Sequence, residues 1–76
     1  MEDLLAYIAK GLVDHPEEVS VEAFEEDDAL VLELSVGDDD TGKVIGRNGR
    51  TVNAIRAVMR ACGARQDRRV LVDVVD

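Results

Sequence analysis

The apolar residues of this chain follow two different periods, and the switches between them decide which folds are open to it. Leu30, Leu32, Leu34 and Val36 recur at every second position, as do Val70, Val72 and Val74. Leu4, Leu5, Ile8, Leu12 and Val13, and later Val52, Ile55, Val58, Met59 and Cys62, recur at helical spacing. A period of two buries one face of a strand, and a period of 3.6 buries one stripe of a helix, so helices must lie against a sheet. The spacing predicts a first helix over residues 2–14, opened by the acidic Glu2-Asp3 and stopped by His15-Pro16. Val19, Val21 and Ala23 then pair with Leu30 to Val36 as a hairpin, through an acidic turn at Glu25 to Asp28. Gly37 and Asp38 to Asp40 break that pattern, and Thr41 caps a short helix running through Ile45. A longer helix follows from about Arg50 to Cys62 with Gly63 as its stop, and Val70 to Val74 close with a strand. The order is α-β-β-α-α-β: one α+β domain over residues 1–76, three strands in a sheet covered on one face by three helices.

Seventy-six residues close one core and leave no room for a second, which excludes a multi-domain enzyme. With 46% apolar and 34% charged residues the composition is that of a soluble globular protein. No apolar run approaches the roughly 20 residues of a membrane span. The N-terminus carries acid where a secretory signal carries base, and the single Cys62 cannot close an intrachain disulfide, so the expectation is a cytoplasmic protein that does not act at a membrane.

The net charge of −8 argues at first against a nucleic-acid partner, but its distribution reverses the inference. Residues 1–40 carry −13, residues 41–69 carry +7 and residues 70–76 carry −2. Lys43, Arg47, Arg50, Arg56, Arg60, Arg65, Arg68 and Arg69 make a basic zone, and the acidic first half discourages indiscriminate phosphate binding elsewhere.

Within the basic zone lies Val44-Ile45-Gly46-Arg47-Asn48-Gly49-Arg50-Thr51-Val52. Two glycines bracket two polar residues between helical segments, where backbone without Cβ atoms comes close to a ligand. The next helix offers free N–H groups and the positive end of its dipole, an arrangement suited to phosphate. Asn48-Gly49 is also a good hairpin turn, but the helical period from Val52 to Cys62 argues against a strand there. Gly37, Gly42 and Lys43 have P-loop spacing, yet Val44 stands where a magnesium-binding hydroxyl is needed and Asp38 to Asp40 would put three negative charges in the phosphate cradle.

This stretch resembles the G-x-x-G signature of KH domains, a single-stranded RNA-binding fold, and the element order is that of the bacterial, type II, KH topology. The likeness runs over nearly the whole chain, including Leu-Val-Asp-His-Pro-Glu at 12–17 and the stretch from Thr41 to Arg56, and it is to the small stand-alone KH proteins of the KhpA family. The resemblance implies a mixed three-stranded sheet and a loop that clamps about four nucleotides of single-stranded RNA. Gly46 and Gly49 would lie against the sugar-phosphate with Arg47 and Asn48 at the tip, Lys43 and Arg50 would neutralise phosphates, and Ile45 and Val52 would floor the bases. It further implies an RNA-chaperone or post-transcriptional regulatory role, shared with a KhpB-like KH partner and linked to cell-shape and cell-wall regulation.

Other residues read more simply. Asp38 to Asp40 suit a solvated loop and helix N-terminal charge better than a metal shell, and neither metal nor cofactor is implied. His15 caps helix carbonyls, and Glu22 and Glu33 belong to a solvated sheet surface. Cys62 on the apolar stripe is a buried inert thiol, and no catalytic constellation is visible, so the expectation is not an enzyme. The apolar arc of the long helix covers roughly 220°, wider than one core contact needs. Ala54, Ala57, Val58 and Ala61 are therefore either exposed helix formers or a dimer face. The expected activity is single-stranded RNA binding as a homodimer or as a heterodimer with a KhpB-like protein. The alternative is a KH-fold interaction subunit whose RNA binding is secondary.

Overall fold

In the computed structural model, which describes residues 1–75, the first helix is shorter than its apolar pattern. Helix α1 spans Glu2–Leu12, not 2–14, and Val13 is extended at φ −102° and ψ 162°. Two forces end it early. His15 precedes Pro16, which disfavours helical backbone, and the N–H groups of Asp14 and His15 donate to the carboxylate of Asp40. The His15 imidazole does not cap carbonyls as expected; its Nδ1 lies 3.7 Å from Glu17 Oε2 at the surface.

Strands β1 (Ser20–Glu26) and β2 (Ala29–Ser35) form the expected hairpin, antiparallel from Ser20↔Ser35 to Glu26↔Ala29. The turn is tighter than the acidic run predicted: only Asp27 and Asp28 lie outside the strands, both left-handed at φ 51° and 65°. Two left-handed residues give a turn whose twist matches the strands, and aspartate tolerates that region better than most residues.

Helix α2 (Thr41–Ile45) and helix α3 (Arg50–Ala64) form the crossover to β3 (Arg69–Val75), which pairs in parallel with β2 from Ala29↔Arg69 to Ser35↔Val75. A parallel partner requires such a crossover. The sheet order β1-β2-β3 is therefore mixed, with the helices on one face. Thr41 is the first residue of α2 and not its cap; Asp40 holds the N-cap position without accepting a main-chain N–H of its own helix. Gly63 likewise does not stop α3. It is buried inside the helix where β3 passes, and a Cβ there would lie 2.5 Å from Arg68 O and 2.6 Å from Val70 Cγ2. The carbonyl of Gly63 instead accepts the N–H groups of Gln66 and Arg68, at 2.9 and 2.8 Å, and left-handed Asp67 (φ 54°) makes the turn into β3.

The core is one layer between helices and sheet: Leu5 and Ala9 from α1, Leu32 and Leu34 from β2, Ile55 and Met59 from α3, and Val70 and Val72 from β3. Val44 fastens the short α2 beside it and is fully buried. Cys62 is only half-buried, because Gly63 is the last residue of α3 turned inward. On the helix-free face Phe24, Val31 and Leu71 stand in one cross-strand row and Glu22, Glu33 and Asp73 in the next.

Candidate nucleic-acid interface

Between α2 and α3 the backbone makes a path that depends on its two glycines. Gly46 closes α2 by donating its N–H to Gly42 O at 2.8 Å, then adopts φ 77° and ψ 171°, a region open essentially to glycine alone. A Cβ at Gly46 would collide with the Thr51 hydroxyl and lie 2.8 Å from the Thr51 nitrogen. Arg47–Gly49 form a single tight turn, in which Asn48 (φ 57°, ψ 26°) and Gly49 (φ 75°, ψ 12°) are both left-handed. A Cβ at Gly49 would meet only Asn53 Nδ2, at 3.7 Å. Gly46 is thus required by both conformation and space, and Gly49 by conformation.

Arg47, Asn48 and Arg50 are exposed around this turn, and Gly46 and Gly49 are half-buried at its base. No side chain caps the N-terminus of α3, so its dipole faces the turn without an acidic neighbour in the first helical turn. Of the two aliphatic residues expected to line the floor, Ile45 is half-buried, whereas Val52 is 4% exposed and supports the turn from the core.

The basic zone is only partly free. Lys43 Nζ lies 3.0 Å from Asp14 Oδ2 and 3.3 Å from Asp40 Oδ1. Arg68 reaches Glu25 Oε1 at 2.5 Å, and Arg56 Nε donates to Val72 O at 3.1 Å on the outer edge of β3. Among the described residues Arg47 and Arg50 make no ion pair, so they are the cations available at the turn.

Asp40 is the residue that pattern reading misplaced. Asp38 and Asp39 are solvated as expected, but Asp40 is fully buried, the one buried charged side chain among the described residues. Burial pushes its carboxyl upward, but the N–H donors of Asp14 and His15 together with the Lys43 ammonium outweigh that and hold it below the usual carboxylate range. Hydrogen bonds to the Asp14 and Asp40 carboxylates in turn hold Lys43 above the ordinary lysine range. Three successive aspartates look alike in sequence, and only the fold shows which one meets the end of α1.

On the outer side of α3, Ala54, Ala57, Val58 and Ala61 are all exposed, Val58 to 46%. No helix of the described residues is long and apolar enough to cross a membrane.

A Gly-x-x-Gly turn between two helices, set in an α-β-β-α-α-β fold with a mixed sheet, defines a KH domain of type II. The family model described as KhpA/KhpB, KH domain, matches residues 2–74. The chain is 47% identical to RNA-binding protein KhpA of Halalkalibacterium halodurans over 76 residues, all of both chains. It is 43% identical to the Bacillus subtilis protein of that name over 76 residues, all of this chain and 94% of the relative. Against the Borreliella burgdorferi protein of that name the identity is 42% over 74 residues, 97% of this chain and 90% of the relative. The chain belongs to the KhpA/KhpB family of KH domains.

Proposed function

We propose that this protein binds single-stranded RNA, with Gly46-Arg47-Asn48-Gly49 as the clamp on about four nucleotides of backbone. The observation that carries the reading is the turn itself. Its left-handed path at Asn48 and Gly49 and the Cβ-free Gly46 bring main chain to the surface beside an uncapped helix N-terminus, with Arg47 and Arg50 unpaired on either side. That combination suits a phosphodiester, and the relatives are named as RNA-binding proteins. Arg47 and Arg50 supply phosphate contacts, Asn48 projects at the tip, and Ile45 offers aliphatic surface to an unstacked base. Tyr7 and Phe24, the only aromatics, belong to α1 and β1 and not to the turn, so the turn itself offers no stacking platform.

The chain acts in the cytoplasm as a non-enzymatic RNA chaperone or post-transcriptional regulator, paired with itself or with a KhpB-like KH protein and contributing to cell-shape and cell-wall regulation. Two clamps in one particle raise affinity through effective concentration, which a single small module lacks. The second reading, an interaction subunit with RNA binding secondary, is favoured by the exposed Ala54, Ala57, Val58 and Ala61 face. Fluorescence anisotropy with labelled single-stranded RNA and Gly49→Asp separates the two. The clamp reading expects binding to collapse in a variant that keeps its circular dichroism, and wild-type affinity in that variant favours the interaction subunit.

A further inference from the structure

Helix α2 has five residues, too few to hold its own conformation in water, yet it delivers the chain to Gly46. Its restraint comes from elsewhere in the fold. The buried Asp40 carboxylate accepts the N–H of Asp14 at 3.2 Å on Oδ1 and the N–H of His15 at 3.0 Å on Oδ2, bonds that span 26 and 25 residues. Lys43, one helical turn on, donates to Asp40 Oδ1 at 3.3 Å and pairs with Asp14 Oδ2 at 3.0 Å, which closes a ring through the main-chain N–H of Asp14. The same two segments touch again at Gly37, where a Cβ would lie 2.6 Å from Glu18 Oε2. An N-cap aspartate ordinarily serves the first N–H groups of its own helix. Here that carboxylate is spent on the chain leaving α1.

We propose that Asp14, Asp40 and Lys43 form a lock that sets the angle at which α2 presents the Gly46–Gly49 turn, and that Lys43 is a positioning residue and not a phosphate ligand. The proposal rests on the reading of that turn as the RNA clamp. Lys43 is basic, exposed and three residues from Gly46, so position alone would make it a phosphate contact. Its ammonium faces two carboxylates, however, and a phosphate reaching it would have to displace them against like charge.

The two roles of Lys43 give opposite signs for one substitution. If Lys43 serves phosphate, Asp14→Asn frees the ammonium and removes a nearby negative charge, so RNA binds more tightly. If Lys43 serves the lock, Asp14→Asn loosens α2 and binding weakens. Anisotropy with labelled single-stranded RNA, repeated at several salt concentrations on variants shown folded by circular dichroism, reads both affinity and salt slope. The lock predicts that Asp14→Asn and Lys43→Met each weaken binding on the order of threefold, the scale of a partly exposed ion pair. It also predicts a wild-type salt slope in both, whereas Arg47→Ala, which removes one phosphate partner, lowers the slope by about 0.7. Tighter binding in Asp14→Asn, a slope lowered in Lys43→Met, or unchanged affinity in both overturns the lock and leaves the clamp standing. Gly49→Asp in the same series tests the clamp separately: unaltered binding there removes the clamp and the lock with it.

Discussion

At the scale of single residues, the two loop glycines are unequal. Gly46→Ala forces a Cβ into Thr51 in a backbone region that residues other than glycine avoid, and is expected to cost about 1–3 kcal/mol in urea unfolding. Gly49→Asn makes only an ordinary contact with Asn53 in a region asparagine tolerates, and its expected cost stays below about 1 kcal/mol. Asp40 also sets a pH dependence. Its carboxyl is held below the ordinary value of 3.8, so the stability it contributes is complete above that value and is lost as pH falls through the lower folded value. Lys43 has the opposite sign: its contribution is intact below 10.5 and disappears as pH rises beyond it. Urea midpoints for the wild type and Asp40→Asn should therefore be well separated at neutral pH and converge in acid below 3.8. The two glycines were legible in the sequence by type and spacing, whereas the main-chain partners that bury Asp40, and not Asp38 or Asp39, lie 26 and 25 residues away, beyond the reach of a local pattern.

At the scale of elements, sequence pattern found every α-helix and strand but missed the short 3-10 turns and displaced several boundaries. At two of these boundaries a tertiary contact stands where the local signal pointed elsewhere. The end of α1 is set by Asp40 and Pro16, the hairpin turn shrinks to Asp27-Asp28, and α3 runs through Gly63 because β3 needs close approach there. The last case gives a test in which two effects oppose. Gly63→Ala gains up to about 1 kcal/mol of helix propensity. It also places a methyl group 2.5 Å from Arg68 O and 2.6 Å from Val70 Cγ2, and overpacking of that kind costs about 1–3 kcal/mol. Net destabilisation is expected by thermal or urea unfolding, and a stabilised variant would show that α3 and β3 can separate there at little cost. Met59→Ala on the same helix leaves a cavity at a fully buried site and should cost about 2–5 kcal/mol, while Cys62→Ser at its half-buried neighbour should change stability by less than about 1 kcal/mol.

At the scale of the whole molecule, the charge split between halves becomes a split between surfaces. The unpaired cations Arg47 and Arg50 lie at the turn, while the helix-free sheet face carries the acidic row Glu22, Glu33 and Asp73, a contrast that favours a polyanion at the turn over one on the sheet. The outer face of α3 exposes Ala54, Ala57, Val58 and Ala61, and the proposed pairing would use it. If Ala57 and Ala61 meet a second helix, Ala61→Glu buries a charge there and should abolish association in analytical ultracentrifugation without unfolding the monomer. A wild type that is monomeric at high concentration, or a variant that still dimerises, removes the interface from this face. The central claim concerns where RNA sits, and amide chemical-shift mapping during titration with a short single-stranded RNA tests it most directly. A clamp at the turn predicts that the largest changes fall on Gly46 to Thr51, with Phe24, Val31 and Leu71 on the open sheet face unmoved. Changes concentrated on that sheet face or on Ala54 to Ala61, with the turn silent, would contradict it.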